Sequence, residues 1–167
     1  MGRNGFEMSQ HIKCNMQMKY TWMDYCGAYE AGVEALFDSE AVEYTGCDDG
    51  FLAFYDYWRR ELKEGEFFAK VILDGGELIG VVALARAEDG GFTVQEFVIA
   101  PGYRGKGVGT AALTELINNS KDVIGEEIKT AEAVIFPKNI ASQRAFSKAG
   151  FKEISRDEGG IRYAYEK

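Results

Sequence analysis

A glycine-rich segment that joins an apolar stretch to a helix-like stretch is the feature that most restricts the fold of this chain. In YRGKGVGTAAL, residues 103–113, three glycines and two cations fall between Arg104 and Gly109. Glycine inside a helix lowers its stability by about 1 kcal/mol relative to alanine. So many glycines are therefore expected only where the accessible backbone has a function. The preceding VQEFVIAPG predicts a strand that ends in a turn. The sequence therefore predicts a strand, a glycine turn and a helix in direct succession.

A glycine turn that opens a helix is a favourable site for an anion. The first amides of a helix have no acceptor within the helix, and the helix dipole adds partial positive charge there. Glycine lets a phosphate approach the main chain and accepts positive φ. Arg104 and Lys106 can add charge-assisted hydrogen bonds. The segment therefore predicts a diphosphate-binding turn.

Two other phosphate-binding patterns fit this segment less well. In the P-loop a Gly-Lys pair precedes Ser or Thr, but here Lys106 precedes Gly107 and Val108 follows it. Gly107, Gly109 and Ala112 formally match the dinucleotide pattern G-x-G-x-x-A. In that fold, however, the strand runs almost directly into the first glycine, and the chain beyond Gly109 is too short for two nucleotide-binding halves. A dinucleotide oxidoreductase is the weaker alternative.

Length and composition are typical of one globular domain. The chain has 167 residues, of which 46% are hydrophobic and 28% charged, enough for one core without disulfides or metal. A net charge of −8 disfavours a nucleic-acid partner. The chain has three cysteines without C-x-x-C spacing and a single histidine, which argues against a metal centre. Because no apolar run is long enough for a membrane span or a signal core, we expect one cytoplasmic domain over residues 1–167, with no membrane partner.

Hydrophobic patterning predicts a mixed α/β domain. Alternation over residues 11–18 predicts a half-buried first strand, and residues 20–37 and 51–64 predict helices joined by a polar connector. The turns DGG and EDGG predict antiparallel pairing around them. The remaining predicted elements are strands at 67–73, 77–86, 92–99, 130–136, 151–155 and 161–167, and helices at 107–119 and 139–150.

Two segments resemble the GNAT superfamily of N-acetyltransferases. RGKGVG, residues 104–109, matches the family pattern Arg/Gln-x-x-Gly-x-Gly/Ala, and residues 96–113 resemble the family's central strand, connector and cofactor helix. Residues 133–151 resemble its second block, a strand followed by an Asn that opens a helix and by an aromatic-x-K-x-G-Phe ending. The resemblance is close over residues 66–166 and loose before them. It implies a GNAT-type fold, with a mixed, mostly antiparallel sheet of about seven strands flanked by four helices.

The resemblance also implies acetyl-CoA as the cosubstrate, and the cysteine and histidine content already argues for no metal. The amides of the glycine turn would hold the pyrophosphate, and the end of the preceding strand would pair with the pantetheine arm like an added strand. Asn139 would contact this arm and cap the last helix. The residues assigned to the cofactor are Phe97, Val98, Ile99, Arg104, Gly105, Lys106, Gly107, Val108, Gly109, Thr110, Asn139 and Ser142.

Acyl transfer to an amine also requires a base for the amine proton. In TVQEFVI, strand alternation places Val94, Glu96 and Val98 on one face, which predicts a carboxylate between two valines. Burial there would raise the pKa of Glu96 towards that of a useful base. In the family a glutamate on this strand often has that role. The alternative is a solvated carboxylate at a strand end.

The departing thiolate needs a proton, and here the sequence departs from the family. The position that is often tyrosine in the family is Phe146, which has no hydroxyl. Tyr163 and Tyr165 on the final strand are the candidate acids, although packing at the core edge is the commoner role for such residues. Water is a further candidate, because a thiolate is a fair leaving group.

Together these features predict a direct, ternary-complex transfer of acetyl from acetyl-CoA to a primary amine of a small molecule or peptide. Glu43, Asp48 or Asp49, in the acidic connector, would help to attract a cationic acceptor. The alternative from another class is a non-catalytic CoA-binding sensor or scaffold of the same fold, which the missing hydroxyl at Phe146 keeps open. Exposed edge strands would allow a homodimer.

Overall fold

The structure is a computed structural model that describes residues 17–167. Within that range the chain forms seven strands and six α-helices. The strands are β1 Thr21–Asp24, β2 Phe67–Asp74, β3 Glu77–Arg86, β4 Phe92–Ile99, β5 Thr130–Ile135, β6 Lys152–Arg156 and β7 Ile161–Glu166. The helices are α1 Glu30–Glu34, α2 Ser39–Thr45, α3 Phe51–Glu61, α4 Val108–Asn118, α5 Ser120–Ile124 and α6 Ile140–Lys148.

The seven strands form one mixed sheet in the order β1-β2-β3-β4-β5-β7-β6. Neighbouring strands are antiparallel except for β4 and β5, which are parallel. The β4–β5 ladder extends only from Phe92 to Val94. Beyond Val94 the two strands separate, so residues 95–99 have no strand partner on that side. The predicted mixed, mostly antiparallel sheet is confirmed, and it is open at its centre.

A β-bulge lies where β4 leaves β5. The pairing of β3 with β4 shifts at Gln95, so this residue is an extra one between Val94 and Glu96. Because a bulge shifts the alternation of side chains, Val94 packs on the face covered by α4, α5 and α6, whereas Val98 packs on the face covered by α1 and α3. The prediction that both valines share a face with Glu96 is therefore wrong. Of the two valines, Val98 lies on the same face of the sheet as Glu96, and Val94 lies on the other face.

The core consists of two apolar layers, one on each face of the sheet. Leu113 and Leu116 of α4 and Phe146 of α6 are buried on one face. Val33 of α1 and Phe51 of α3 are fully buried on the other. Full burial of an aliphatic or aromatic side chain contributes about 1.5–3 kcal/mol. Helices on both faces thus hold the two diverging strands in place.

The beginning of the chain differs from the prediction. The helix predicted over residues 20–37 is wrong in its first part, because residues 21–24 form β1 and pair with Lys70–Leu73 of β2. The gain from a sheet ladder outweighs the local helical pattern there. Residues 11–16 of the predicted first strand lie outside the described residues, and residues 17–18 have no regular secondary structure.

Two short helices arise where the sequence pattern predicted none, which makes six helices rather than four. The first, α2, lies in the polar connector and is capped by Asp38, whose Oδ1 accepts a hydrogen bond from the amide of Ala41 at 3.0 Å. It ends at Gly46 in the left-handed region, with φ 69°. The second, α5, follows α4 almost directly. The other predicted elements agree with the structure to within three residues.

Hydrogen bonds to Glu115 of α4 hold the first described residues against the rest of the domain. Its carboxylate accepts hydrogen bonds from the amides of Lys19 and Tyr20, at 2.6 and 3.1 Å, and from Nε1 of Trp22 at 2.7 Å. Hydrogen bonds to charged groups contribute more than neutral ones, so we expect Glu115→Ala to lower the free energy of unfolding by about 2–4 kcal/mol. Urea denaturation measures this loss.

The matched control is Glu158→Ala, because Glu158 is exposed. We expect its urea midpoint to equal that of the unchanged protein. An equal midpoint for Glu115→Ala would show that the three hydrogen bonds add nothing to stability.

Candidate active site

The gap between β4 and β5 opens into a cavity of about 650 Å³. Residues 94–99 of β4 form one wall and residues 133–136 the other, and the start of α4 and parts of α2 and α6 complete the lining. Because β5 does not pair with β4 beyond Val94, the main-chain groups on this side of β4 face an open edge. An extended ligand with amide groups can pair with such an edge as an added strand.

The glycine turn closes one end of this cavity. Gly105 and Gly107 have φ of 72° and 79°, values that glycine adopts at little cost, and Gly107 caps α4. Within residues 17–167, the amides from Gly105 to Thr110 have no protein acceptor, and the first that is paired is that of Ala111, 3.0 Å from the carbonyl oxygen of Gly107. A Cβ at either left-handed glycine would meet no atom within 4 Å. The turn thus presents free N–H groups at the positive end of a helix.

The guanidinium of Arg104 is held by protein acceptors. Its Nε donates to the carbonyl of Ile99 at 2.8 Å, and its Nη1 lies 2.9 Å from carboxylate oxygens of both Asp38 and Glu40. The hydrogen bond from Arg104 lowers the pKa of Asp38. The side chain of Arg104 thus connects α2 to the glycine turn, and it also lies in the cavity lining. The side chain of Lys106 is exposed and contacts the carbonyl of Gly102.

Glu96 is a buried carboxylate in the wall of the cavity. The residue is 6% exposed, so it is not the solvated strand-end carboxylate of the alternative interpretation. Burial raises its pKa to about 8. In the described part of the chain its side chain has one hydrogen-bond partner, the thiol of Cys47, with Sγ 3.5 Å from Oε1. A carboxylate with a pKa near neutrality can accept a proton from a bound amine.

The two tyrosines suggested as acids do not line the cavity. Tyr163 is buried in the core beneath α4 and α6, and Tyr165 packs against Phe151 with ring centroids 5.6 Å apart. Phe146 does line it, edge-on to Phe97. The tyrosine in the cavity lining is Tyr44 of α2, whose hydroxyl lies 3.4 Å from the carbonyl of Lys138.

The places of Tyr44 and Cys47 near Glu96 do not follow from the sequence pattern. Both lie in the segment interpreted as a polar connector, where no helical pattern was recognised. A capping signal was present, because Asp38 precedes the helix by one residue. Their positions relative to Glu96 depend on how α2 packs, which local sequence does not reveal.

The opposite wall of the cavity contains Asn139 and Ser142 at the start of α6. Asn139 Oδ1 accepts a hydrogen bond from the amide of Ser142 at 3.1 Å, so the predicted helix cap is confirmed. Glu43, Asp48 and Asp49 are exposed and lie outside the lining.

Two further observations concern metals and membranes. Among residues 17–167, no three His, Cys, Asp or Glu side chains are grouped so as to hold a metal ion. Over the same residues, no helix combines the length and the apolar character that crossing a bilayer requires.

The sequence model of the acetyltransferase (GNAT) family matches residues 33–151, which include the glycine turn, Glu96 and Asn139. The chain belongs to the GNAT family. It is therefore an enzyme of the acetyltransferase class, and the resemblance noted in its sequence is confirmed. No curated protein matches its sequence.

Solved GNAT-type structures share the fold at low sequence identity. The aminoglycoside acetyltransferase AAC(6')-Ib, in complex with coenzyme A and kanamycin, is 18% identical, with a TM-score of 0.68 over 88% of this chain and 94% of that chain. Another structure of AAC(6')-Ib contains acetyl-CoA. A spermidine N-acetyltransferase from Vibrio cholerae, in complex with CoA and spermine, is 13% identical, with a TM-score of 0.68 over 89% and 94% of the two chains.

Proposed function

We propose that this GNAT enzyme transfers the acetyl group of acetyl-CoA to a primary amine by direct attack within a ternary complex. The observation that carries the proposal is that one cavity combines a turn of free amides, an unpaired strand edge and the buried carboxylate of Glu96. The first two features suit a long ligand with phosphates and amides. The third suits deprotonation of an amine.

The residues of the cavity fit acetyl-CoA, which supplies an activated acetyl thioester when bound. The free amides from Gly105 to Thr110 would hold the pyrophosphate, and the open space at Gly105 and Gly107 leaves room for it. The main chain of residues 97–99 would pair with the pantetheine arm. Asn139 and Ser142 would contact that arm from the opposite wall.

Glu96 would accept the proton of the acceptor amine, directly or through a water molecule. An ordinary amine is mostly protonated at neutral pH and does not attack a thioester in that form. With a pKa of about 8, Glu96 is partly ionised near neutral pH and more so above it. Glu96 is therefore a stronger base than an exposed carboxylate, because the pKa of an exposed carboxylate lies far below neutral pH.

The acceptor that we propose is a cationic amine of a small molecule or peptide. Two structural neighbours are in complex with kanamycin and with spermine, and each of these molecules carries several amino groups. The net charge of −8 attracts such ligands. Glu43 is exposed on α2, and Asp48 and Asp49 are exposed on the connector between α2 and α3. The charge of Glu40, by contrast, is paired with Arg104.

The test is thiol release from acetyl-CoA in the presence of an aminoglycoside, a polyamine, single amino acids and a peptide with a free N-terminus. We expect release above background hydrolysis with a cationic amine. If calorimetry detects CoA binding but no amine causes thiol release, the result would favour the sensor or scaffold alternative. Absence of CoA binding would overturn both.

Tyr44 is the phenol in this cavity, and we expect it to donate the proton to the departing thiolate. Because a thiolate leaves with modest assistance, Tyr44→Phe should lower kcat by about tenfold, less than is usual for a general acid. CoA affinity by calorimetry should be unchanged. The control is Tyr57→Phe, an exposed tyrosine on α3. If Tyr44→Phe and Tyr57→Phe have the same kcat, water supplies the proton.

A further inference from the structure

Glu96 has a side-chain neighbour that the proposed chemistry does not use. Cys47 is 7% exposed, is not among the residues that line the cavity, and its Sγ lies 3.5 Å from Oε1 of Glu96. We propose that Cys47 is a positioning residue, whose neutral thiol donates a hydrogen bond to one oxygen of Glu96 and leaves the other for the acceptor amine. The inference rests on the proposed role of Glu96 as the base.

The backbone around Cys47 fixes the position of its thiol. Before it, α2 ends at the left-handed Gly46, and the amide of Cys47 donates to Oγ1 of Thr45 at 3.2 Å. After it, Gly50 starts α3 with φ 85°. A short connector that is anchored at both ends holds a side chain in one place, which a positioning role requires.

The start of α3 is anchored in turn by α1. The carboxylate of Glu34 accepts a hydrogen bond from the amide of Leu52 at 2.9 Å and lies against Gly50. This contact satisfies one of the free amides at the N-terminus of α3. The end of the connector that leads into α3 is therefore anchored to α1.

Burial and the neighbouring carboxylates keep Cys47 in the thiol form. Burial is the largest cause that raises the pKa of Cys47 to about 12, and the carboxylates that face it, Glu96 on β4 and Glu34 on α1, raise it further. The thiol is therefore neutral near neutral pH. It can donate to Glu96, but it is not an activated nucleophile, since that role requires a thiolate.

The same contact influences the protonation of Glu96. Burial raises the pKa of Glu96, and hydrogen-bond donation by Cys47 lowers it. Glu40 and Tyr44 are the titratable residues of α2 in the cavity lining, and the charge of Glu40 is paired with Arg104. Removing the donor should therefore make Glu96 harder to ionise.

The experiment compares the pH dependence of kcat/KM for the unchanged protein with those of Cys47→Ala and Cys47→Ser. One hydrogen bond from a weak thiol donor to the ionised carboxylate is lost in Cys47→Ala, so its midpoint should move upwards by about 0.7 pH unit. Cys47→Ser retains a donor and should have a midpoint at or below that of the unchanged protein. Cys26→Ser, at an exposed cysteine, is the control.

The pKa of Glu96 can also be measured directly, without relying on enzyme turnover. The carboxyl carbon of Glu96 can be followed by ¹³C NMR in the unchanged protein and in the folded variants, as verified by circular dichroism. An upward shift in Cys47→Ala, reversed in Cys47→Ser, supports the inference. Unchanged midpoints in both, or a loss of activity that is equal at every pH, would overturn it. If the shift is present but no amine is acetylated, the positioning contact stands and the proposed function fails.

Discussion

Glu96→Gln is expected to lower kcat/KM for the amine acceptor by about 10²–10³-fold, because a carboxamide of nearly the same shape cannot accept the amine proton. CoA affinity should remain within about twofold, since the proposed cofactor contacts would be made by main-chain amides and by Asn139 and Ser142. Thiol release measures the first quantity and calorimetry the second. Glu88→Gln, at an exposed carboxylate, is the control. Full activity in Glu96→Gln would exclude Glu96 as the base.

The pH dependence gives this prediction a second readout. Burial raises the pKa of Glu96 to about 8, and the base must be ionised to act. The kcat/KM of the unchanged protein should therefore increase with pH, with a midpoint near that value. Glu96→Gln should have lost this midpoint.

The stability of the fold should depend on the same group with a definite sign. A carboxyl whose folded-state pKa is raised contributes most favourably below its unfolded pKa, and this contribution is lost as the pH rises through the folded value. For Glu96 the loss spans the range from its ordinary value of 4.5 to about 8. Glu96→Gln should therefore gain stability relative to the unchanged protein as the pH increases. A constant difference in urea midpoint would contradict this.

Gly107→Glu is expected to weaken CoA binding by about 100-fold or more, because it places a negative charge where the free amides would hold the pyrophosphate. The φ of 79° at Gly107 adds backbone strain of about 1 kcal/mol for any residue with a Cβ. The matched control is Gly125→Glu. Gly125 has a φ of 84° and open space around it, and it caps α5 outside the cavity.

The two variants separate loss of the site from loss of the fold. Both introduce the same charge and a similar strain, and both should remain folded. Gly125→Glu should lose somewhat more stability, because its charge lies at the C-terminal end of α5, whereas that of Gly107→Glu lies at the N-terminal end of α4. Calorimetry should detect CoA binding for Gly125→Glu and a much weaker signal for Gly107→Glu. Equal affinity of the two variants would remove the glycine turn from the proposed cofactor site.

Much of the fold could be predicted because its signals are local. The hairpin of β2 and β3 is specified by two apolar runs around Asp74–Gly75–Gly76, and α4 begins where the glycines end. The strand β1 could not be predicted in this way. Its four residues form an extended strand because β2 provides a ladder and Glu115 accepts hydrogen bonds from this end of the chain, and both partners are distant in sequence.

The glycine turn, the helix that follows it and the membership of the GNAT family can be recognised from local sequence, since they depend on residues within a few positions of one another. The bulge at Gln95, the separation of β4 and β5 beyond Val94 and the burial of Glu96 beside Cys47 become visible only in the folded chain. It also placed the guanidinium of Arg104 on Asp38 and Glu40. The physical reason is that the pKa of a carboxyl and the partners of a guanidinium depend on neighbours brought together by folding, which the local pattern of a single segment does not contain.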